Sequence, residues 1–167
     1  PETASFELAV DIDLQIQQGG NWDLAEEFWV TRDRIQAGQT ADIKNEIMLL
    51  FDWGRGHDHG SPIDRGATTD AYGNRITLWA HYPDTGGQSW SFYIFRIDGR
   101  PHQTQVDLRA IMDYLEDNVG ERFSDDHYVS GVELGNENWP NTQGETTIDA
   151  LDVKVNDQVV ASGQDDQ

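Results

Sequence analysis

The chain has 167 residues, 31 acidic against 11 basic side chains, a net charge of −20 and no cysteine. That size suits one domain, and the composition excludes disulfides, thiolate nucleophiles and zinc–thiolate sites. The negative charge repels phosphate backbones and anionic lipid, so neither nucleic acid nor a membrane is an expected partner.

The basic minority contains only two lysines, Lys44 and Lys154, and the acids run through the whole sequence. Such a surface is that of a salt-adapted protein, whose self-repulsion is screened at high ionic strength, or of an ordinary acidic secreted one. No apolar run approaches the ~20 residues of a transmembrane helix. Residues 1–5 lack the basic-then-apolar pattern of a signal peptide.

In chain order, residues 5–16 alternate Phe6, Leu8, Val10, Ile12, Leu14 and Ile16 against Glu7, Ala9, Asp11, Asp13 and Gln15, which predicts a half-buried strand. A Gly19-Gly20-Asn21 turn leads to a second strand over Ala25–Arg32. The next strand carries Asn45-Glu-Ile-Met-Leu-Leu-Phe-Asp-Trp53, followed by a loop over 54–72 rich in Gly, Asp and His. Two aromatic strands, Arg75–Tyr82 and Gln88–Ile97, flank a Pro83–Gly87 hairpin connection. The period then changes: Thr104 is placed to cap a helix over 105–118 with Leu108, Ile111, Met112 and Leu115 on one stripe and Gly120 after its end. Strands resume at 127–137 and 147–156, and Ala161–Gln167 reads as a frayed polar end. With no internal repeat or linker, the fold class is all-β: one antiparallel sandwich or jelly roll with a single helix packed on it.

Alternation in the third strand puts Ile43, Ile47, Leu49 and Phe51 on one face and Glu46, Met48 and Leu50 on the other. Neither face is a solvated one. A carboxylate set among apolar neighbours is protonated, paired or catalytic, unless it stands idle at a wet strand edge. Glu137, in Val132-Glu-Leu-Gly-Asn-Glu-Asn-Trp139, is the second candidate, since an adjacent indole can raise a carboxyl's pKa by desolvation. Glycoside hydrolysis needs two such carboxyls. Tryptophans in a cleft would give sugar rings a stacking platform, although about half of the six would serve as core.

Asn45-Glu-Ile-Met-Leu-Leu with Ser61-Pro62-Ile63 in the following loop resembles the nucleophile strand and loop of glycoside hydrolase family 12, the β-jelly-roll endoglucanases and xyloglucanases. Val132-Glu-Leu-Gly-Asn-Glu137 resembles that family's acid/base strand, and Ala9-Val-Asp-Ile-Asp-Leu14 the strand that brings a third carboxylate beside the nucleophile. The resemblance covers about residues 5–156. It implies Glu46 as nucleophile and Glu137 as acid/base of a retaining double displacement, with Asp13 tuning Glu46 and Asp11 the fallback. Met48, Trp53, Trp79 and Trp139 would line the substrate site. Retention requires the two carboxyls to be about 5–5.5 Å apart, against about 6.5–9.5 Å for inversion.

This sequence departs from the family pattern at Leu50, where Trp is usual, and at Asn136, where Thr is usual. The family's amino-terminal strands, which carry a cleft tryptophan, are expected to be lacking. His57, Asp58 and His59 could chelate a metal, contact sugar hydroxyls from a cleft-lining loop, or be solvated; no metal and no cofactor are expected. The resemblance implies a secreted, monomeric endo-β-1,4-glucanase-like hydrolase acting on a β-glucan, and the acidic surface implies that it tolerates salt. A carbohydrate-binding sandwich without catalysis is the alternative.

Overall fold

A computed structural model describes residues 3–35, 41–54, 66–83, 90–124 and 126–164. Among the described residues, ten strands and one helix follow in order: β1 Phe6–Gln18, β2 Trp22–Thr31, β3 Ile43–Trp53, β4 Ala67–Thr69, β5 Arg75–Tyr82, β6 Ser91–Ile97, β7 Gln103–Asp107, α1 Leu108–Tyr114 with a π turn over Leu115–Val119, β8 Tyr128–Asn138, β9 Gln143–Val155 and β10 Gln158–Gln164. They form a four-stranded sheet, β10-β9-β1-β7, and a six-stranded sheet, β4-β5-β6-β3-β2-β8. Among these pairings only β3–β6 is parallel. This is the jelly-roll architecture that the alternation pattern predicts.

The alternating apolar residues of β1 (Phe6, Leu8, Val10, Ile12) meet Leu24, Phe28 and Val30 of β2 and Ile47, Leu49 and Phe51 of β3 in one buried cluster. A second, smaller cluster lies on the other face of the six-stranded sheet: Ala25, Met48, Leu50, Ala80 and Ile94, with Trp53, Trp79 and Phe92 packed against it. The central strands β3 and β6 therefore carry apolar residues on both faces, which is why β3 reads as a nearly continuous hydrophobic run.

Three segments differ from the sequence expectation, the first being β4, Ala67–Thr69, which lies inside the stretch expected as a loop and pairs with β5. Residues 103–107 are not the first turn of the helix but strand β7, paired with β1 from Glu7↔Asp107 to Asp11↔Gln103. Asp107, not Thr104, is the N-cap; its carboxylate accepts from the amides of Arg109 at 3.0 Å and Ala110 at 3.4 Å. Either residue type caps well, and the buried Val106 pulls the segment into the sheet first. The expected stripe is buried, and Gly120 ends the π turn at φ 82°, a left-handed value that suits glycine.

The chain end is likewise ordered farther than expected. Asn156 and Asp157, at φ 51° and 62°, make a tight turn that folds β10 back onto β9.

Candidate active site

Strand β2 sits between β3 and β8, and its register assembles the site. Glu46 lies opposite Trp29, Met48 opposite Glu27, and Leu50 opposite Ala25. On the other side Glu133 lies opposite Glu27, Gly135 opposite Ala25, and Glu137 opposite Asp23. Between Leu24 and Ala25 the β2–β3 register shifts past Phe51. Glu46 and Glu137 thus sit diagonally across β2, and Glu27 occupies the position between them. Ala25, Met48 and Leu50 floor the same face.

Glu27 is the electrostatic centre of this face. Burial first, then a side-chain hydrogen bond with Glu46 and the charges of Glu46, Glu137 and Glu133, push its pKa from 4.5 up to about 9. At neutral pH it holds a proton. One of its oxygens, Oε1, is buried without a partner, as expected of a carboxyl whose other end is engaged. Glu46 receives a second donor, the indole N–H of Trp90, at Oε2. Asp23, fully buried, accepts from the Glu137 amide at 3.4 Å.

The structure puts Glu46 and Glu137 on one face of the sheet, opposite Trp29 and Asp23 of β2, but it moves the third carboxylate. Asp13 lies on β1 in the four-stranded sheet, opposite Thr147, and its exposed carboxylate accepts from Gln15 at 2.9 Å. Asp11 bonds Gln103 at 2.8 Å in that same sheet. Because β1 buries Phe6, Leu8, Val10 and Ile12, its acids must point away from the core and the cleft. Glu27 holds the place beside Glu46 that the resemblance gives to Asp13. The signal for it was the one that singled out Glu46, a carboxylate inside an apolar strand.

The aromatic expectations divide. Met48 lies on the same face of the six-stranded sheet, with Trp53 and Trp79 packed beside it. However, the Arg96 guanidinium covers both indoles, 3.4 Å from the Trp79 ring centre and 4.3 Å from that of Trp53, and Arg100 stacks on Trp53 at 3.9 Å. These rings meet a cation, which competes with any sugar for the same π faces. Glu137 and Trp139 are both exposed. His57 and His59 lie outside the described residues. Among the described residues no group of three or more His, Asp or Glu could hold a metal ion, and no helix is long and apolar enough to cross a membrane.

The pattern of glycosyl hydrolase family 12 matches residues 3–156. The chain belongs to glycosyl hydrolase family 12. Solved structures of similar shape include a family 12 xyloglucanase from Bacillus licheniformis (20% identity, TM-score 0.70, 90% of this chain and 62% of that one). Another is endoglucanase 3 of Trichoderma harzianum (17%, TM-score 0.72, 92% and 64%). The catalytic domain of Humicola grisea Cel12A, solved with a soaked thio-cellotetraose, is a third (17%, TM-score 0.71, 92% and 64%). At these identities the likeness is one of fold, and the chain spans a little under two thirds of each of these family 12 structures. No curated protein matches the sequence.

Proposed function

We propose that this family 12 chain hydrolyses the backbone of a β-1,4-glucan internally, with retention of configuration, by the carboxyls of Glu46 and Glu137. The observation that carries the reading is the protonated Glu27 bonded to Glu46 on the face that also bears Glu137. Membership in the family, and the endoglucanase and xyloglucanase titles of the structures of similar shape, support the substrate class.

In the first step an oxygen of Glu46 attacks the anomeric carbon. The bond to the glycosidic oxygen breaks, and that oxygen takes the proton of Glu137. In the second, Glu137 removes a proton from water, the water oxygen bonds to the anomeric carbon, and Glu46 leaves as carboxylate. Glu27 donates its proton's hydrogen bond to Glu46, weakly while the ester exists and strongly when the carboxylate re-forms. No cofactor enters this sequence. We further place the protein outside the cell, as a single-domain monomer whose acidic surface tolerates multimolar salt.

Reducing-sugar release from carboxymethylcellulose, mixed-linkage β-glucan and xyloglucan, in low and multimolar salt, tests the activity, and proton NMR of the first product anomer tests retention. The β-anomer must appear first, and Glu46→Gln must abolish release while polysaccharide binding persists. No release on any glucan at any salt would leave a binding sandwich. An α-anomer would overturn retention.

A further inference from the structure

Trp90 immediately precedes β6, and the parallel register of β6 with β3 puts Ser91 opposite Asn45 and Phe92 opposite Glu46. Alternation gives Trp90 the face of Phe92, which is the cleft face, so its ring lies diagonally beside Glu46 and its N–H reaches Oε2. An indole N–H donates and cannot accept. It can therefore stabilise a lone pair on Glu46 but never take up the Glu46 proton.

This matters because Glu46 and Glu27 are a pair sharing one proton, and such a pair has two arrangements that differ in which carboxyl holds it. Chemistry needs only one of them, with Glu46 ionised. Burial of Glu27 and the charges of Glu137 and Glu133 of β8 already favour the proton there, while on the Glu46 side Lys44, on the same face of β3, is paired with Asp42 and Arg96 of β6 lies farther along, in register with Leu50. Among the described residues, the fixed neutral donor to the pair is the Trp90 indole, on the Glu46 side.

We propose that Trp90 is a positioning residue for the nucleophile: its indole N–H reinforces Glu46 as the ionised member of the Glu27–Glu46 pair and holds Oε2 while the other oxygen attacks. The inference rests on Glu46 being the nucleophile. Once the glycosyl ester forms, Oε2 is the ester carbonyl, a poorer acceptor than a carboxylate, so the same N–H also favours the departure of Glu46 in the second step.

The test reads protonation directly, in a carbon-13 NMR spectrum of the side-chain carboxyls of Glu27 and Glu46, assigned with Glu27→Gln and Glu46→Gln. At neutral pH the native protein should show Glu46 as carboxylate and Glu27 as acid. In Trp90→Phe, which keeps a ring and loses the donor, the two carbons should move toward each other. Glucan turnover should fall roughly ten- to hundredfold in kcat, the scale of one hydrogen bond to a charged group, with KM nearly constant. Trp90→His, which restores a ring N–H, should recover part of it.

A measurement on the native fold guards against a variant that does not fold: the Trp90 indole proton should resonate downfield of those of the other tryptophans and move back in Glu46→Gln. Unchanged carboxyl shifts in Trp90→Phe, or an indole proton indifferent to Glu46→Gln, would overturn the proposal. A rise in KM with kcat retained would also overturn it, making Trp90 a sugar-stacking ring. The NMR results stand even if no glucan is cut, so the hydrolase reading and this one fail separately.

Discussion

Glu26 and Glu27 are neighbours on one strand and point to opposite faces of one sheet. Glu26 is fully buried among the residues between the sheets, cross-strand from Leu49 and Leu134, with neither oxygen bonded. Glu27 is half-buried in the cleft, bonded to Glu46 and surrounded by other carboxyls. Both are pushed well above the usual carboxylate range, and burial is the first cause for each. A raised pKa therefore does not by itself mark a catalytic group; what separates the two is the partner. The inner carboxyl has nothing to exchange a proton with, whereas the outer one shares its proton with a second acid at a surface open to substrate.

The sharpest way to break this contrast lies on β8, which offers the cleft both Glu137 and Glu133. Glu137→Gln should lower kcat/KM by roughly 10²–10⁴, the range for loss of a general acid/base, while Glu133→Gln stays within about tenfold. Kinetics on a glucan decide it, and the reverse order would move the acid/base to Glu133.

Glu27→Gln comes next. Because Glu27 acts through its bond to Glu46, kcat should fall on the order of tenfold while KM holds. A rise in KM alone would make Glu27 a substrate contact.

Glu26→Leu should leave neutral turnover unchanged and alter stability instead. For a carboxyl with a raised folded pKa, the folded state binds more protons than the unfolded one above about 4.5, so stability is fully present below that value and is lost as pH climbs toward and through the folded pKa. Thermal unfolding followed from pH 5 to 10 should therefore decline less steeply in Glu26→Leu than in the native protein. For Glu27 the same loss runs up through about 9. An identical alkaline slope in the Glu26 variant would show that its carboxyl is solvated.

Salt gives the smallest effect and separates surface from interior. Going from 0.1 to 1 M shortens the screening length from about 10 to about 3 Å. This should raise Tm by a few degrees by relieving surface repulsion, yet leave the alkaline decline in place, because buried charges are screened far less. A decline that vanishes in salt would assign it to the surface acids.

The fold was largely legible because alternation is a local record of burial: the apolar positions of β1 and β3 and the stripe of α1 all face where their periodicity pointed. Where two local signals competed, the sheet decided. Val106 drew residues 103–107 into β7 and moved the cap to Asp107. The β10 hairpin rests on positive φ at Asn156 and Asp157, residue types that tolerate it without requiring it.

The sequence by itself determined that Glu46 stands in a strand with no solvated face, that Glu137 closes another strand, and that the surface is strongly acidic, since period, order and charge belong to the chain alone. Only the tertiary structure decided which third carboxylate meets Glu46. Asp13 and Glu27 are alike as acids in strands, and the choice between them depends on β2, not β1, lying next to β3. It decided as well that Trp90 reaches Glu46 and that Arg96 covers Trp53 and Trp79. Strand neighbours and register are long-range properties, fixed by how two apolar faces close on each other, and no local pattern encodes them.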